Sequence, residues 1–386
     1  MKALFFFFIL LLTGIGCKEV YNAPLYSPPT GFLVVEGFIN SGQGATVITL
    51  TRTTKLYDSV DIIYEHNALV TVEGENNESF PLYESTNGTY LSASLSLNSA
   101  EKYRLHIKTI DGKEYASDFS TVKSTPDIDS ISWQRESGGV QTYINAHDAA
   151  NSTKYYQWKY EETWEFHSTY LSSLNYIYDP VKGNITGVEY KFPNTHDVDT
   201  TIYKCWKTVN SSSIIIGSTE KLSQDIIYLP LIYVEPQSQK MSVLYSVNLR
   251  QYALSHEAYL FYQKIKKNTE QLGSVFDPQP SDLQGNIHCI TNPTEIVVGF
   301  VEVTQEKQKR IFIKNSELPD WNYNAGCLSV EVDNNEDSIL KYASGLLPTI
   351  PSKLSPRNEI LSFYVSYQNC IDCTVKGTNV RPLFWP

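Results

Sequence analysis

Alternation of apolar and polar residues limits this chain to β-rich folds more than any other feature. It is longest in Tyr155–His167 (YYQWKYEETWEFH), where Trp158, Tyr160, Trp164 and Phe166 share one side of an extended strand. Side chains of a strand point in turn to its two faces, so a period of two predicts a strand with one apolar face. An aromatic row at this spacing indicates a buried core, with a sugar-stacking platform as the alternative.

Seven shorter segments with strand-like patterns lie within residues 31–125. They are Phe32–Ile39, Thr46–Thr53, Ala68–Glu73, Ser79–Glu84, Thr89–Leu97, Lys102–Thr109 and Glu114–Ser120. Asn87-Gly88 and Asp111-Gly112 are typical of type I′ hairpin turns, in which both residues need a positive φ. Seven strands in so short a segment predict an immunoglobulin-like or transthyretin-like sandwich over residues 31–125.

Residues 126–386 predict a larger β-rich domain with one main α-helix. Strands are expected at Ser130–Trp133 and Val140–His147, and the helix at about Ser255–Gln271. Ser255 is a favourable N-cap residue, and apolar residues then recur at helical spacing. The whole chain is therefore expected to be mainly β.

The N-terminus has the pattern of a lipoprotein leader. Lys2 precedes the apolar run Ala3–Leu12, which is too short to span a bilayer, and small residues then lead to Cys17. We expect residues 1–16 to be a signal peptide, Cys17 to carry the lipid anchor, and residues 17–30 to be a polar tether. Ordinary secretion, with Cys17 as a structural thiol, is the alternative.

Charge and cysteine content limit the partners and the compartment. The formal net charge is −11 and no basic run offsets it, which argues against nucleic acid or an anionic lipid surface as a partner.

Export makes disulfides the default, and an odd number of candidates leaves one thiol free. The candidates after Cys17 are Cys205, Cys289, Cys327, Cys370 and Cys373. Cys370 and Cys373 are so close that at most one is expected to reach a distant partner, unless they bond to each other.

The motifs of common enzyme classes are missing from the sequence. His256-Glu257 begins like a helical zinc motif, but Leu260 stands where the second histidine is needed. A serine nucleophile elbow and a phosphate-binding Walker loop are also missing. We therefore expect a protein that is not an enzyme, with no catalytic residue, metal or cofactor.

Three glutamates keep a carbohydrate-active enzyme open as an alternative. Glycoside hydrolysis needs two carboxyl groups on either side of a sugar, which would have to converge in a cleft. The alternation instead places Glu161 and Glu165 on the polar face of one strand and Glu162 among the aromatic residues. A lone carboxylate on an apolar face needs a partner, so we expect an arginine, tyrosine or backbone donor beside Glu162.

Four long strings of the mature chain carry a resemblance to a known family. They are Phe32–Ile39 (FLVVEGFI), Tyr155–Phe166 (YYQWKYEETWEF), Gln251–Cys289 and Cys370–Trp385 (CIDCTVKGTNVRPLFW). The chain resembles a widespread family of uncharacterised Bacteroidota outer-membrane lipoproteins, classed only as a domain of unknown function. Members accompany TonB-dependent receptors, so the resemblance implies a surface-exposed accessory subunit that binds or gates an outer-membrane β-barrel. A structural scaffold or adhesin is a further alternative.

Two short patterns agree with the Bacteroidota resemblance. Lys18-Glu19, directly after the lipidated cysteine, resembles the signal that exports such lipoproteins to the cell surface, although only one acidic residue follows the lysine. Bacteroidota also O-glycosylate exported proteins at Asp-(Ser/Thr) followed by an apolar residue or Thr. That pattern gives the candidate glycosylation sites Ser59, Ser130, Thr200 and Ser338.

Two segments are candidates for contact with a barrel. Residues 168–201 are polar and too long for an ordinary connection, which is typical of a binding loop. Phe276 begins the string FDPQP after the predicted helix and places an aromatic side chain beside rigid backbone. A loop that only caps its own domain explains the second segment equally well.

Overall fold

A computed structural model describes residues 31–54, 62–270 and 284–386, and the fold is mainly β, as predicted. The first nine strands are β1 (Leu33–Asn40), β2 (Val47–Arg52), β3 (Ile63–Tyr64), β4 (Leu69–Gly74), β5 (Ser79–Thr86), β6 (Thr89–Leu91), β7 (Lys102–Lys108), β8 (Glu114–Ser117) and β9 (Ser120–Thr121). The next nine are β10 (Ile128–Glu136), β11 (Gly139–Asp148), β12 (Tyr155–His167), β13 (Leu174–Asp179), β14 (Asn184–Tyr190), β15 (Lys204–Asn210), β16 (Ile215–Ser218), β17 (Asp225–Val234) and β18 (Leu244–Ala253). The last seven are β19 (Ile287–Cys289), β20 (Val298–Gly299), β21 (Val303–Thr304), β22 (Lys307–Lys314), β23 (Val330–Asp333), β24 (Leu347–Leu354) and β25 (Ile360–Ser366). The helices of the described residues are α1 (His256–Glu270), α2 (Glu336–Tyr342) and α3 (Gln368–Ile371).

The first sheet combines the N-terminal strands with strands from much later in the chain. Its order is β19–β8–β7–β4–β5–β6–β2–β1–β20, with β3, β9 and β21 paired beside it. At one edge β19 runs antiparallel to β8, and at the other β20 runs parallel to β1. A bridge between Gln284 and Val298 joins these two edges, so the sheet nearly closes on itself around an aliphatic and tyrosine core.

The two predicted hairpin turns of the first sheet differ. Asn87 and Gly88 have φ values of 48° and 63°, as a type I′ turn requires. At Asp111-Gly112 only the glycine has a positive φ, 85°, and the type I′ prediction is wrong there. The Thr109 N–H donates to the carbonyl of Lys113, and this closes a three-residue loop with the glycine at its left-handed position.

Two further sheets pack face to face. One has the order β10–β11–β17 and the other has the order β15–β12–β18–β22, with β16 paired to β12. The aromatic row of β12 lies between them: Trp158, Trp164 and Phe166 are buried, and Tyr160 is half-buried. The core interpretation of this row is therefore confirmed.

Glu162 lies among these aromatic residues and has the kind of partner that the alternation requires. Its carboxylate accepts a hydrogen bond of 2.6 Å from the Tyr245 hydroxyl. The ammonium group of Lys240 lies 2.7 and 2.8 Å from its two oxygens. A tyrosine is thus one partner, as expected, and the cation is a lysine rather than an arginine.

Helix α1 packs between the first sheet and the sheet that contains β12. The Ser255 hydroxyl accepts the N–H of Ala258 at 3.0 Å, so the predicted N-cap is present. Ala258, Phe261 and Tyr262 form the buried face of the helix, together with Phe38 of β1. The helix thereby connects the two sheet systems.

Residues 168–201, predicted as a long polar loop, contain the hairpin β13–β14. Leu174 and Val188 of this hairpin pack with Phe363 and Val365 of β25 and with α2 in a small separate core. The loop prediction is wrong because this hairpin needs only a few apolar side chains of its own. The rest of its core comes from residues far along the chain, which a local pattern does not reveal. We call the hairpin, the sheet β23–β25–β24 and α2 the C-terminal unit.

Two disulfides cross-link the last part of the chain. Cys205 is bonded to Cys373 and Cys327 to Cys370, and Cys289 is a free, buried thiol. Four of the five candidates are thus paired, as expected. The expectation that Cys370 and Cys373 could not both reach distant partners is wrong, because the turn of α3 and the short 3₁₀ helix that follows it direct the two sulfurs to different neighbours.

Candidate functional site

The exposed side of the sheet β10–β11–β17 has the composition of a recognition surface. In β11, residues of the inner core alternate with outward-facing Tyr143, Asn145 and His147. The residues paired with them in β17 include Tyr228 and Ile226, and those in β10 include Ser130 and Ser132. We call these outward-facing residues, with Asp129 and Gln134, the outer face.

Hydrogen bonds between neighbouring strands hold the polar side chains of the outer face in place. The Asn145 amide donates to the Ser132 hydroxyl at 2.9 Å. The Gln134 amide donates at 2.9 Å to the hydroxyl of Tyr143, which in turn donates at 2.9 Å to the carboxylate of Glu136. These side chains are exposed or half-buried and are held by hydrogen bonds, so binding a partner would cost little additional side-chain entropy.

Two tyrosine rings stack at the centre of the outer face. The ring centroids of Tyr143 and Tyr228 lie 4.9 Å apart with an interplanar angle of 2°. Tyr228 is 59% exposed, and Tyr143 is half-buried. An exposed tyrosine ring that is held by stacking and has a hydroxyl at its tip is typical of protein-binding surfaces.

A recess of about 650 Å³ lies at the end of the outer face. Asp129, Asn145, His147 and Tyr228 line it together with Asp225 and the loop after β11. The His147 ring nitrogen lies 2.7 Å from the Asp129 carboxylate, and this contact raises the pKa of His147. The neighbour of His147 in sequence, Asp148, is therefore not its partner in the fold.

The carboxylates deeper in the recess are already occupied by donors of the protein. Burial alone would raise the pKa of Asp148, but N–H groups of Thr153, Ser152 and Ala150 and the Ser152 hydroxyl hold it well below its usual range.

Asp225 is buried in the wall of the recess. It accepts hydrogen bonds from the hydroxyls of Tyr156 and Thr219. Burial, and then the neighbouring Asp225, raise the pKa of the Tyr156 hydroxyl. Asp148 and Asp225 are therefore both hydrogen-bonded within the protein, and the recess offers a ligand hydrogen-bonding groups and the ring of Tyr228.

The candidate residues of the sequence lie in different places. Cys17, Lys18, Glu19, Ser59 and Phe276 are outside the described residues. Ser130 is exposed in β10, on the outer face, and Thr200 is exposed in a short 3₁₀ helix. Ser338 lies half-buried in the first turn of α2, where its N–H donates to the Asn335 cap.

Sequence reasoning found strand β11 but missed the outer face. The available signal was the triplet Tyr143, Asn145 and His147 at every second position, which marks one side of a strand. Its stacking partner Tyr228 could not be inferred, because the register between β11 and β17 joins residues far apart in sequence.

The described residues were also compared with the requirements of a metal-ion site and of a membrane-spanning helix. Within residues 31–54, 62–270 and 284–386, no group of three or more His, Cys, Asp and Glu side chains is placed to hold a metal ion. In the same ranges no helix combines the length and the apolar character needed to cross a membrane.

Comparisons with known proteins establish the family. No curated protein matches the sequence. A solved structure titled "Biofilm associated protein - B domain" aligns with 74% of this chain and 86% of that chain, at 6% identity and a TM-score of 0.15, which is too low to carry any argument. A family profile described as "Domain of unknown function (DUF4249)" matches residues 18–310, which is most of the chain. The chain therefore belongs to the DUF4249 family.

Proposed function

We propose that this protein is an exported, lipid-anchored accessory subunit that binds a TonB-dependent receptor, or a related outer-membrane β-barrel, at the cell surface. Its role is binding or gating rather than catalysis. The single observation that carries the binding role is the outer face, with its stacked tyrosines, of which Tyr228 is exposed, and its hydrogen-bonded polar side chains.

Export and anchoring are supported by the leader and by the cysteines. The apolar run before Cys17 has signal-peptide length, and two disulfides indicate folding in an oxidising compartment. Cys17→Ser should release the protein from the membrane fraction into the soluble fraction. Unchanged membrane association after detergent-free washing would contradict the lipid anchor.

Display at the surface rests on Lys18-Glu19. Protease added to intact cells should degrade the wild type, and replacement of both residues by alanine should protect the protein until the cells are lysed. Protection of the wild type on intact cells would place it on the periplasmic side instead.

The outer face supplies the contact surface in this proposal. Tyrosine is among the residues that dominate binding energies, because a large rigid ring is buried at low entropic cost. The acidic net charge favours basic loops on a barrel over the acidic lipid surface. Phe276 and the connections around hairpin β13–β14 remain candidates for additional contacts.

Native pull-down with matched tyrosine variants tests this function. Tagged wild type should recover an outer-membrane β-barrel protein from native membranes. Tyr228→Ala should lower that recovery about fivefold, the effect of losing about 1 kcal/mol of binding energy. Tyr83→Ala is the control, because Tyr83 is 71% exposed on β5 of the first sheet, away from the outer face. Recovery of no barrel protein, or equal losses in both variants, would contradict the proposal.

Glycan binding is a second candidate, favoured by the recess. A stacked tyrosine beside Asn145, His147 and Asp129 offers both the apolar platform and the hydrogen-bonding groups that a sugar ring needs. If glycan binding is the function, the full-length protein in detergent, with no barrel protein present, should bind members of a glycan array. Tyr228→Ala should abolish that binding.

A further inference from the structure

A second cavity lies between the first sheet, β12 and helix α1. Its volume is about 280 Å³. The cavity walls are formed by strand β1, the edge strand β20, the start of β12, the segment after β15, and the buried face of α1. Because it lies where three separate elements meet, it has the setting in which ligand sites commonly form.

Gln157 of β12 is one of the residues that line this cavity, and its side chain has an unused acceptor. The residue is only 4% exposed, and its side-chain oxygen Oε1 has no hydrogen-bond donor among the described residues. A buried carbonyl oxygen without a partner is costly, and such groups are rare in folded proteins. A ligand that donates a hydrogen bond to this oxygen would remove the cost.

Apart from Ser211–Ser213 and the charged residues Glu36 and Lys159, the rest of the wall is apolar. Phe261 and Tyr262 are buried, Ile265 is partly buried, and Val35 lies opposite them on β1. The Tyr262 hydroxyl already donates to the carbonyl of Phe300 at 3.3 Å, so it is not the group that a ligand would address.

The charged groups at the cavity are paired with each other. The Lys159 ammonium lies 2.6 Å from the carboxylate of Glu36, and both side chains reach solvent. A charged ligand would have to enter an apolar wall that offers it no free counter-charge among the described residues, which is unfavourable. An anion would in addition meet the negative end of the Gln157 carbonyl dipole.

We propose that this cavity is a binding site for a small, neutral, mainly apolar molecule that carries one O–H or N–H donor. The apolar body packs on Phe261, Tyr262 and Ile265, and the donor is directed to Oε1 of Gln157. The binding energy of such a ligand comes from buried apolar surface, and its selectivity comes from the single hydrogen bond.

Indole and 1-methylindole are suitable probes, because they share an aromatic body and differ in the N–H donor. Binding to the full-length protein is measured by ligand-observed NMR titration. Indole should bind about tenfold more tightly than 1-methylindole, because only indole satisfies the buried oxygen. Absence of binding by indole up to its solubility limit, or equal binding of the two probes, would overturn the proposal.

Two variants locate the probe. Gln157→Leu keeps a similar volume but removes the acceptor, so the preference for indole should fall to about onefold to twofold. Val34→Phe places a ring in the cavity from half-buried Val34 of β1 and should abolish binding of both probes. Val209→Phe is the matched control, since Val209 is exposed on β15 and does not line the cavity. A preference that persists in Gln157→Leu, or binding unchanged in Val34→Phe, would contradict the assignment.

Discussion

The first sheet and the C-terminal unit maintain their folds by different means. The first sheet surrounds a large continuous core, which includes Leu33, Ile48, Tyr90 and Leu105, and contains no disulfide among its described residues. The C-terminal unit has a much smaller core, and a disulfide between Cys327 and Cys370 lies next to it. A small core buries too little apolar surface to offset chain entropy alone, so covalent cross-links are expected where the core is small.

The late strands β19–β21 are instead held to the first sheet by buried apolar side chains and by polar contacts. Ile287 and Val303 add to its core from β19 and β21. The Glu295 carboxylate accepts hydrogen bonds of 2.7 Å from both the Tyr115 hydroxyl and the Lys113 ammonium. The comparison shows that two distant parts of the chain can be joined either by a closed sheet or by a disulfide.

Removal of the Cys327–Cys370 disulfide should have the largest effect. Cys327→Ala with Cys370→Ala should destabilise the C-terminal unit by about 4 kcal/mol, because the unfolded segment regains the freedom of an open loop. Hydrogen exchange should show lost protection in β13, β14 and β23–β25 while the first sheet keeps its protection.

The free thiol provides the control for this prediction. Cys289→Ala in β19 removes a small buried side chain from the first sheet and should leave protection of the C-terminal unit unchanged. Equal loss of protection in both regions of the double variant would break the comparison.

Truncation of a buried side chain in the late strand β19 should have the next largest effect, and this effect should appear in the first sheet. Ile287→Ala leaves a cavity where β19 packs on the first sheet and should cost about 3 kcal/mol. Protection should fall in β7, β8 and β19 and remain in the C-terminal unit. Ile110→Ala, at a position that is 77% exposed, should change neither region. Loss of protection in β13 and β14 on Ile287→Ala would show that the two regions unfold as one.

A smaller effect should appear as a pH dependence of the first sheet. Burial raises the pKa of Glu302, and the charge of Lys123 and the Ser255 N–H offset this only in part. The folded protein therefore holds the Glu302 proton more firmly than the unfolded chain does. The contribution of this proton to the free energy of unfolding is fully present below the unfolded pKa of about 4.3. Stability is lost as the pH rises from there through the raised folded pKa.

Glu302→Gln isolates this contribution. The variant cannot titrate at this position, so the fall in stability of the first sheet with rising pH should become shallower. Denaturant unfolding at a series of pH values measures the slope for both proteins. A slope that is the same in wild type and variant, or steeper in the variant, would contradict the role of Glu302.

Local sequence patterns predicted much of this fold and little of the candidate site. Alternation located the strands of residues 31–125 and the core row of β12, and an N-cap residue followed by helical spacing located the start of α1. Each of these signals depends on neighbours within a few residues. The closure of the first sheet by β19–β21 depends on contacts such as Tyr115 with Glu295, for which no local pattern exists. The pairing of Tyr143 with Tyr228 is hidden for the same reason.

Site-specific photocross-linking in living cells tests the central claim, that the outer face binds an outer-membrane β-barrel, most directly. A photoreactive benzoylphenylalanine replaces Ile226, which is 54% exposed beside Tyr228, or Tyr83 on the first sheet as control. Irradiation should join position 226 to a β-barrel protein identified by mass spectrometry, with no such product from position 83. Cross-links from position 226 that contain no barrel protein, or the same barrel product from both positions, would contradict the account.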